Sequence, residues 1–115
     1  MVMTVPHMDV LRTSGSQDIS TPLAAVTDWN KPWKLSGVYL KFSSAVTETF
    51  TVTLDSKDGT SYDCVFKTEA LTGATSASYV PTDNLVFGAG DEITVGVTSA
   101  TATGNVFYTI LGIEC

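Results

Sequence analysis

An alternation of apolar and hydroxyl-bearing residues with a period of two is the feature that most constrains the fold of this chain. In the segment 46–55, VTETFTVTLD, apolar residues and threonines fall on opposite sides, and only Glu48 interrupts the apolar side. Because successive side chains of a strand point to opposite faces of a sheet, this pattern predicts a half-buried antiparallel strand. No window shows apolar residues recurring at i, i+3, i+4 and i+7, so the sequence predicts almost no helix.

A turn signal after this segment predicts a β-hairpin. The run Ser56-Lys57-Asp58-Gly59 has the chemistry of a turn, because Asp-Gly tolerates a positive φ. Alternation resumes beyond the turn, with Tyr62, Cys64 and Phe66 on one side. We therefore expect the two segments to pair, with these three side chains together on one side of the second strand.

Further alternating segments predict the rest of an all-β domain. Residues 35–42 predict a strand with Tyr39 and Lys41 on its outer face, and residues 91–99 predict another. The segment 105–114 is apolar on both faces, so we expect a central or doubly covered strand. About eight short strands separated by turns predict a single antiparallel β-sandwich domain, or a small barrel, spanning the whole chain. Shorter candidate strands are residues 3–11, 20–26, 78–80 and 85–87.

Two small-residue segments and the start of the chain lack strong alternation. The segments 71–77, LTGATSA, and 98–104, TSATATG, predict exposed connections. Residues 1–19 are less regular, and they suit either an N-terminal arm that packs on a neighbouring molecule or an edge strand.

The composition and charge of the chain exclude several classes of protein. With 115 residues, 43% hydrophobic and 16% charged, the chain is long and apolar enough for one core and does not have the composition of a disordered protein. A formal net charge of −6 repels polyanions, so we expect no nucleic-acid partner. No apolar run reaches the ~20 residues of a membrane span, and no signal-peptide pattern is present, so we expect synthesis in the cytosol and no membrane partner.

The residues that usually carry catalysis or bind metals are sparse. His7 is the single histidine, which disfavours a histidine-based metal site or catalytic triad and favours an exposed or interface position. Cys64 and Cys115 lack metal spacing; two free thiols are favoured over a bridge that would close a loop of about 50 residues. The aspartates around the predicted turn fail the EF-hand spacing, which favours a solvated acidic turn. No phosphate loop or nucleophile elbow occurs, so we expect no enzyme and no cofactor.

Aromatic and hydroxyl-rich positions are the candidate interaction residues. The segment 28–34, DWNKPWK, holds both tryptophans, which either cap an open end of the sandwich, anchor a protein partner or stack on a sugar ring. The outward threonines of residues 47–53 form either a solvated face or a polar contact with another subunit. The candidate partner-interface residues are Trp29, Trp33, His7 and Tyr39.

The order of features from Tyr79 to Glu114 resembles a known class of proteins. Pro81 is followed by the apolar triplet 85–87, the run Gly88-Ala89-Gly90-Asp91, an alternating strand, a small-residue hairpin and a closing aromatic strand. The glycines permit a sharp corner between sheets, and Asp91 can accept hydrogen bonds from the amides of the turn. This order resembles the carboxy-terminal half of small jelly-roll virion proteins of tailed bacteriophages.

The resemblance implies a jelly-roll-like β-sandwich that serves as a structural protein of the virion. It implies a capsid decoration or cement protein that bridges subunits of the major capsid protein or of other virion proteins, and that forms a homo-oligomer. A head-to-tail, tail or fibre-attachment component is the first alternative. The second is a carbohydrate-binding module or receptor-binding tip that uses Trp29, Trp33 or Tyr39 to bind a glycan.

Overall fold

This computed structural model describes residues 10–27 and 29–115. They contain nine β-strands and one three-residue 3-10 turn, Thr60–Tyr62. Within these residues, no helix is long and apolar enough to cross a membrane. The strands are β1 (Val10–Asp18), β2 (Leu23–Thr27), β3 (Trp33–Val46), β4 (Thr49–Asp55), β5 (Cys64–Ala70), β6 (Ala74–Tyr79), β7 (Val86–Phe87), β8 (Glu92–Val97) and β9 (Asn105–Glu114).

The strands form two antiparallel sheets with the strand order of a jelly roll. Sheet A has the order β1-β9-β3-β6, with β7 paired to the start of β3, and sheet B has the order β2-β8-β4-β5. The chain changes sheet after most strands, and its last strand lies between its first and third. Two Greek keys wound into facing sheets in this way make a jelly roll. The predicted antiparallel, jelly-roll-like β-sandwich is therefore confirmed.

The core between the sheets is built by the alternate residues that the sequence pattern selects. Along β4, Phe50 and Val52 are fully buried, whereas the neighbouring threonines are partly exposed. Fully burying one such apolar side chain contributes about 1.5–3 kcal/mol. The fully buried side chains of the core are Ile19, Trp33, Leu35, Val38, Val46, Phe50, Val52, Ile93, Val95, Val97, Val106 and Ile110.

The predicted hairpin is confirmed, but the prediction that Tyr62, Cys64 and Phe66 share one side of its second strand is partly wrong. Leu54 of β4 lies opposite Cys64 of β5, as expected for the pair. Tyr62, however, belongs to the 3-10 turn and is 66% exposed, and Cys64 is exposed at an edge strand. The register shifts between Val52 and Thr53, so a simple period of two does not continue through this region.

Of the other segments predicted from the sequence, residues 105–114 are as expected and residues 71–77 are not. The segment 105–114 is the central strand β9, as predicted. The predicted loop 71–77 is wrong in its second half, because β6 begins at Ala74 and pairs with β3. Its alanines, serines and threonines carry no apolar alternation, so only the tertiary pairing reveals the strand. Within the predicted segment 1–19, residues 10–18 form the edge strand β1, and residues 1–9 lie outside the described part.

Polar side chains hold the loops together at both ends of the sandwich. Asp91 accepts hydrogen bonds from the backbone N–H of Lys57 and of Gly88, each at 3.0 Å, and so joins two loops at one end. The second of these contacts confirms the predicted bond to the turn before β8. Asp63 accepts a bond from the N–H of Ser56 at 2.8 Å. The opposite end contains the loop 98–104, whose anchor is Glu48.

Candidate interaction surface

The outer side of sheet A carries the largest exposed apolar side chains that share one face of the molecule. Tyr39 is 43% exposed, Phe107 is 47% exposed, and Val86 and Val10 are more exposed still. Strand pairing makes these positions neighbours: Tyr39 lies opposite Thr109, and Phe107 is two residues away from Thr109 on the same side. We call the outward residues of β1, β9, β3 and β7 the sheet A face. Its apolar members are Val10, Tyr39, Val86, Phe107, Leu111 and Ile113.

The charge of the sheet A face is opposite in sign to that of the chain as a whole. Arg12, Lys34 and Lys41 are three of the six basic residues of a chain with a net charge of −6. They lie opposite Leu111, Ile113 and Phe107 respectively, so each cation borders the apolar residues. Among the described outward residues of these strands, the only carboxylate is Asp18, at the far end of β1. The face therefore suits a partner that offers apolar surface bordered by carboxylates.

Tyr39 lies on the sheet A face in the way that the alternation predicts, and Gly37 makes room for its ring. A Cβ added at Gly37 would lie 2.8 Å from both the hydroxyl oxygen and Cε2 of Tyr39. The ring thus leans along β3 over a glycine and presents a broad flat surface. A large aromatic side chain on a rigid sheet is a frequent anchor of protein interfaces, because little conformational entropy is lost on binding.

The two tryptophans close an end of the core and do not form an exposed pair. Trp33 is fully buried, so its proposed role as a partner contact is wrong. Its ring centroid is 4.6 Å from that of Trp29 in an edge-to-face arrangement and 4.7 Å from that of Phe87. Trp29 is half-buried, with its ring against Gly112 of β9. The tryptophans therefore cap an open end of the sandwich, which was the first of the three alternatives. Because Trp33 is buried, the two rings together cannot form a sugar-binding site.

The outer side of sheet B is hydroxyl-rich and differs from sheet A in charge. Thr51 lies opposite Thr68, and Thr53 lies opposite Thr94, so the outward threonines extend beyond a single strand. Thr47 is not among them, because it precedes β4 and its hydroxyl accepts a hydrogen bond from Gly73 N–H at 3.1 Å. The charged members of this face, Asp55 and Glu92, are opposite each other at one end.

Glu48 has a structural role that the sequence did not reveal, because the pattern showed it only as an interruption of the apolar side of residues 46–55. The residue is 6% exposed, and its carboxylate accepts hydrogen bonds from the N–H groups of Ala100, Thr101 and Ala102, at 2.9–3.0 Å. The Thr98 hydroxyl donates a further bond at 2.9 Å. These donors, led by the Ala100 N–H, lower the pKa of Glu48 to about 2. The carboxylate thus anchors the loop 98–104.

The remaining candidates and the comparisons with known proteins add no further site. His7 lies outside the described residues. Cys64 and Cys115 are free, as expected, and both are exposed. Residues 10–27 and 29–115 contain neither a pocket nor a cluster of three potential metal ligands among His, Cys, Asp and Glu.

No protein-family model and no curated protein matches the chain. The sheet A face is therefore the candidate functional site.

Proposed function

We propose that this chain is a structural protein of a tailed-bacteriophage virion, and specifically a capsid decoration or cement protein that stabilises the particle by bridging capsid subunits. The observation that carries the proposal is the sheet A face, where exposed apolar side chains and three cations lie together on an acidic jelly roll. The resemblance of residues 79–114 to small jelly-roll virion proteins supplies the biological setting.

The geometry of the sheet A face supports binding by a preformed surface. Tyr39 and Phe107 project from neighbouring strands that pair with each other, so hydrogen bonds hold the backbone at both positions before any partner binds. Burying apolar surface favours association by roughly 25 cal/mol per Å², and a rigid face loses little entropy when it binds.

The cations of the face favour one partner chemistry. Arg12, Lys34 and Lys41 border the apolar residues in the manner of a polar rim, where charges guide the approach of a partner and determine orientation. The complementary capsid surface carries apolar residues flanked by Asp or Glu. A protein that binds only the assembled shell stabilises that shell by mass action, and many copies on one particle multiply the effect.

Mass spectrometry of purified particles tests the virion role and the location together. We expect hundreds of copies per particle for a decoration protein, and we expect particles that lack it to lose their genome at a lower temperature than complete particles. A copy number near that of a neck or tail ring would favour the head-to-tail, tail or fibre-attachment alternative. Absence from the particle would overturn the proposal.

Two matched variants test the surface. Phe107→Ser removes an exposed aromatic side chain from the sheet A face, and Val26→Ser removes an exposed apolar side chain, 52% accessible, from the outer side of sheet B. We expect Phe107→Ser to weaken binding to particles that lack the protein at least tenfold and Val26→Ser to leave it unchanged. Equal binding by both variants would exclude the sheet A face.

A further inference from the structure

Apart from the two-residue β7, the sandwich has four edge strands, and three of them carry features that discourage pairing with another chain. In β5, Lys67 and Glu69 lie opposite the buried Val52 and Phe50, so charged side chains occupy the inward side of that edge. Strand β2 has five residues and follows Pro22, and β6 has six residues and an irregular register against β3. Short edges, irregular registers and inward charges are the usual protection against edge-to-edge association.

Strand β1 is the exception. Its nine residues pair with β9 without a register shift, from Val10 opposite Ile113 to Asp18 opposite Asn105, and the strand contains no proline. Among the described residues, β9 is its only strand neighbour, so its other edge has no strand partner there. Its inward residues are only half-buried, which shows that the core is incompletely covered at this edge; they are Leu11, Thr13, Gly15 and Gln17.

The charges of β1 are arranged for antiparallel pairing with an identical strand. Arg12 and Asp18 lie on the same outward side, near opposite ends, and neither has an ion-pair partner among the described residues. Antiparallel pairing centred on Gly15 places Arg12 opposite Asp18 of the second copy. The same register places Ser14 opposite Ser16 of the second copy. Parallel pairing in register would instead place each charge beside its like.

We propose that two copies of this chain form a two-fold symmetric dimer by antiparallel pairing of their β1 edges, centred on Gly15. The pairing joins the two A sheets into one continuous sheet, because an antiparallel pair about a two-fold axis keeps outward residues on the same side. Two Arg12–Asp18 pairs, related by the axis, determine the register. The dimer does not require the virion role, because it follows from the edge and its charges, although Arg12 belongs both to this edge and to the sheet A face.

Light scattering coupled to gel filtration of the full chain tests the dimer. We expect a mass of twice the 12.2 kDa of a single chain. Arg12→Glu sets carboxylates opposite each other at both symmetric positions, so we expect at least a tenfold weaker dimer. The double variant Arg12→Glu, Asp18→Arg restores the opposite charges and the dimer. Lys41→Glu, the same charge change on β3, serves as the control and leaves the dimer intact. A monomeric wild-type protein, or a dimer unaffected by Arg12→Glu, would overturn the proposal.

Cross-linking tests the register without changing any charge, and it is useful because Asp18 also accepts hydrogen bonds from the Ser20 N–H and hydroxyl. In a background of Cys64→Ser and Cys115→Ser, a mixture of Ser14→Cys and Ser16→Cys proteins forms a disulfide-linked dimer on mild oxidation, because directly opposite Cβ atoms lie about 4.5–5.5 Å apart. Neither variant alone cross-links. Cross-linking of either variant with itself, or none in the mixture, would overturn the proposed pairing.

Discussion

Glu48 shows how one buried carboxylate organises a loop that is distant in sequence. The side chain precedes β4, yet it accepts hydrogen bonds from the N–H groups of residues 100–102. A loop of small residues has little apolar surface with which to hold its own conformation. The carboxylate supplies that order by satisfying several backbone donors at once, and the chain can then turn from β8 into β9.

Replacing Glu48 with glutamine should destabilise the protein more than the same change at another glutamate. The amide offers one acceptor oxygen instead of two, and its NH₂ group faces backbone donors, so several N–H groups lose their partner. We expect the melting temperature of Glu48→Gln to fall by several degrees, measured by differential scanning calorimetry. Glu92→Gln is the control, because Glu92 faces outward opposite Asp55. Equal melting temperatures for both variants would contradict the anchoring role.

The lowered pKa of Glu48 predicts how stability depends on pH. The pKa is about 2 in the folded protein and close to the ordinary 4.5 in the unfolded chain, so the unfolded state binds the proton more readily. The stabilisation is therefore fully present above pH 4.5 and is lost as the pH falls towards 2. Urea titrations between pH 6 and pH 2 should show this loss, and it should be smaller in Glu48→Gln. An unchanged pH profile in the variant would assign the acid sensitivity to other groups.

At the scale of single elements, two glycines on neighbouring strands make room for aromatic rings on opposite sides of sheet A. Gly112 of β9 faces the core beneath Trp29, and Gly37 of β3 lies on the outer side beneath Tyr39. An added Cβ meets an aromatic ring in both places. The consequences differ because Tyr39 is 43% exposed and can swing into solvent, whereas Trp29 is packed against the buried Trp33.

Alanine substitutions at these two glycines should therefore have unequal effects. The Cβ of Gly112→Ala would lie 2.5 Å from Cζ3 of Trp29 and 3.1 Å from the carbonyl oxygen of Lys34. Overpacking of this kind costs about 1–3 kcal/mol. We expect Gly37→Ala to cost less, because the Tyr39 ring can move aside. Chemical denaturation monitored by tryptophan fluorescence measures both, and a larger loss for Gly37→Ala would contradict the packing described for Trp29.

The loop anchor Asp91 gives a second test at the element scale. Its carboxylate joins the loops before β5 and before β8 through bonds from Lys57 N–H and Gly88 N–H. Hydrogen bonds to charged groups contribute about 1.5–3 kcal/mol, so Asp91→Ala should lower the free energy of unfolding by about that amount. Asp83→Ala, in the exposed loop before β7, is the control. If Asp91→Ala lowers the free energy of unfolding less than the control does, Asp91 does not anchor these loops.

At the scale of the whole molecule, the jelly roll depends on its last strand. Strand β9 lies between β1 and β3, and it supplies Val106 and Ile110 to the core. These pairings join the two ends of the chain, so the fold cannot be completed before the last strand is available. Folds dominated by such distant contacts also form slowly, typically in milliseconds to seconds.

Ending the chain at Gly104 should abolish cooperative folding. Without β9, the backbone hydrogen-bonding groups of β1 and β3 lose their strand partner, and the apolar residues beneath these strands are exposed. The remaining strands cannot pair these groups or bury these residues. We expect circular dichroism to show a sigmoidal thermal transition for the full protein and none for the truncated chain. A retained cooperative transition would show that the remaining strands form a stable unit.

The sequence determined the local part of this structure, and a physical reason explains why. The period of two assigned Phe50, Val52, Ile93 and Val95 to the core and Tyr39 to the outer side, because side-chain direction along a strand depends only on neighbouring residues. Turn chemistry likewise located the hairpin between β4 and β5. The sequence indicated only the end of β6, at residues 78–80, and the small residues 74–77 become part of the strand by pairing with β3.

Only the tertiary structure decided the features on which function depends. Three such features join positions far apart in the chain: the buried Trp33 contacts Phe87, Glu48 anchors residues 98–102, and three cations lie with the apolar residues of the sheet A face. Such contacts arise from strand order, which no local pattern records. The alternation therefore determined which way each residue faces, and the winding of the jelly roll decided what it meets.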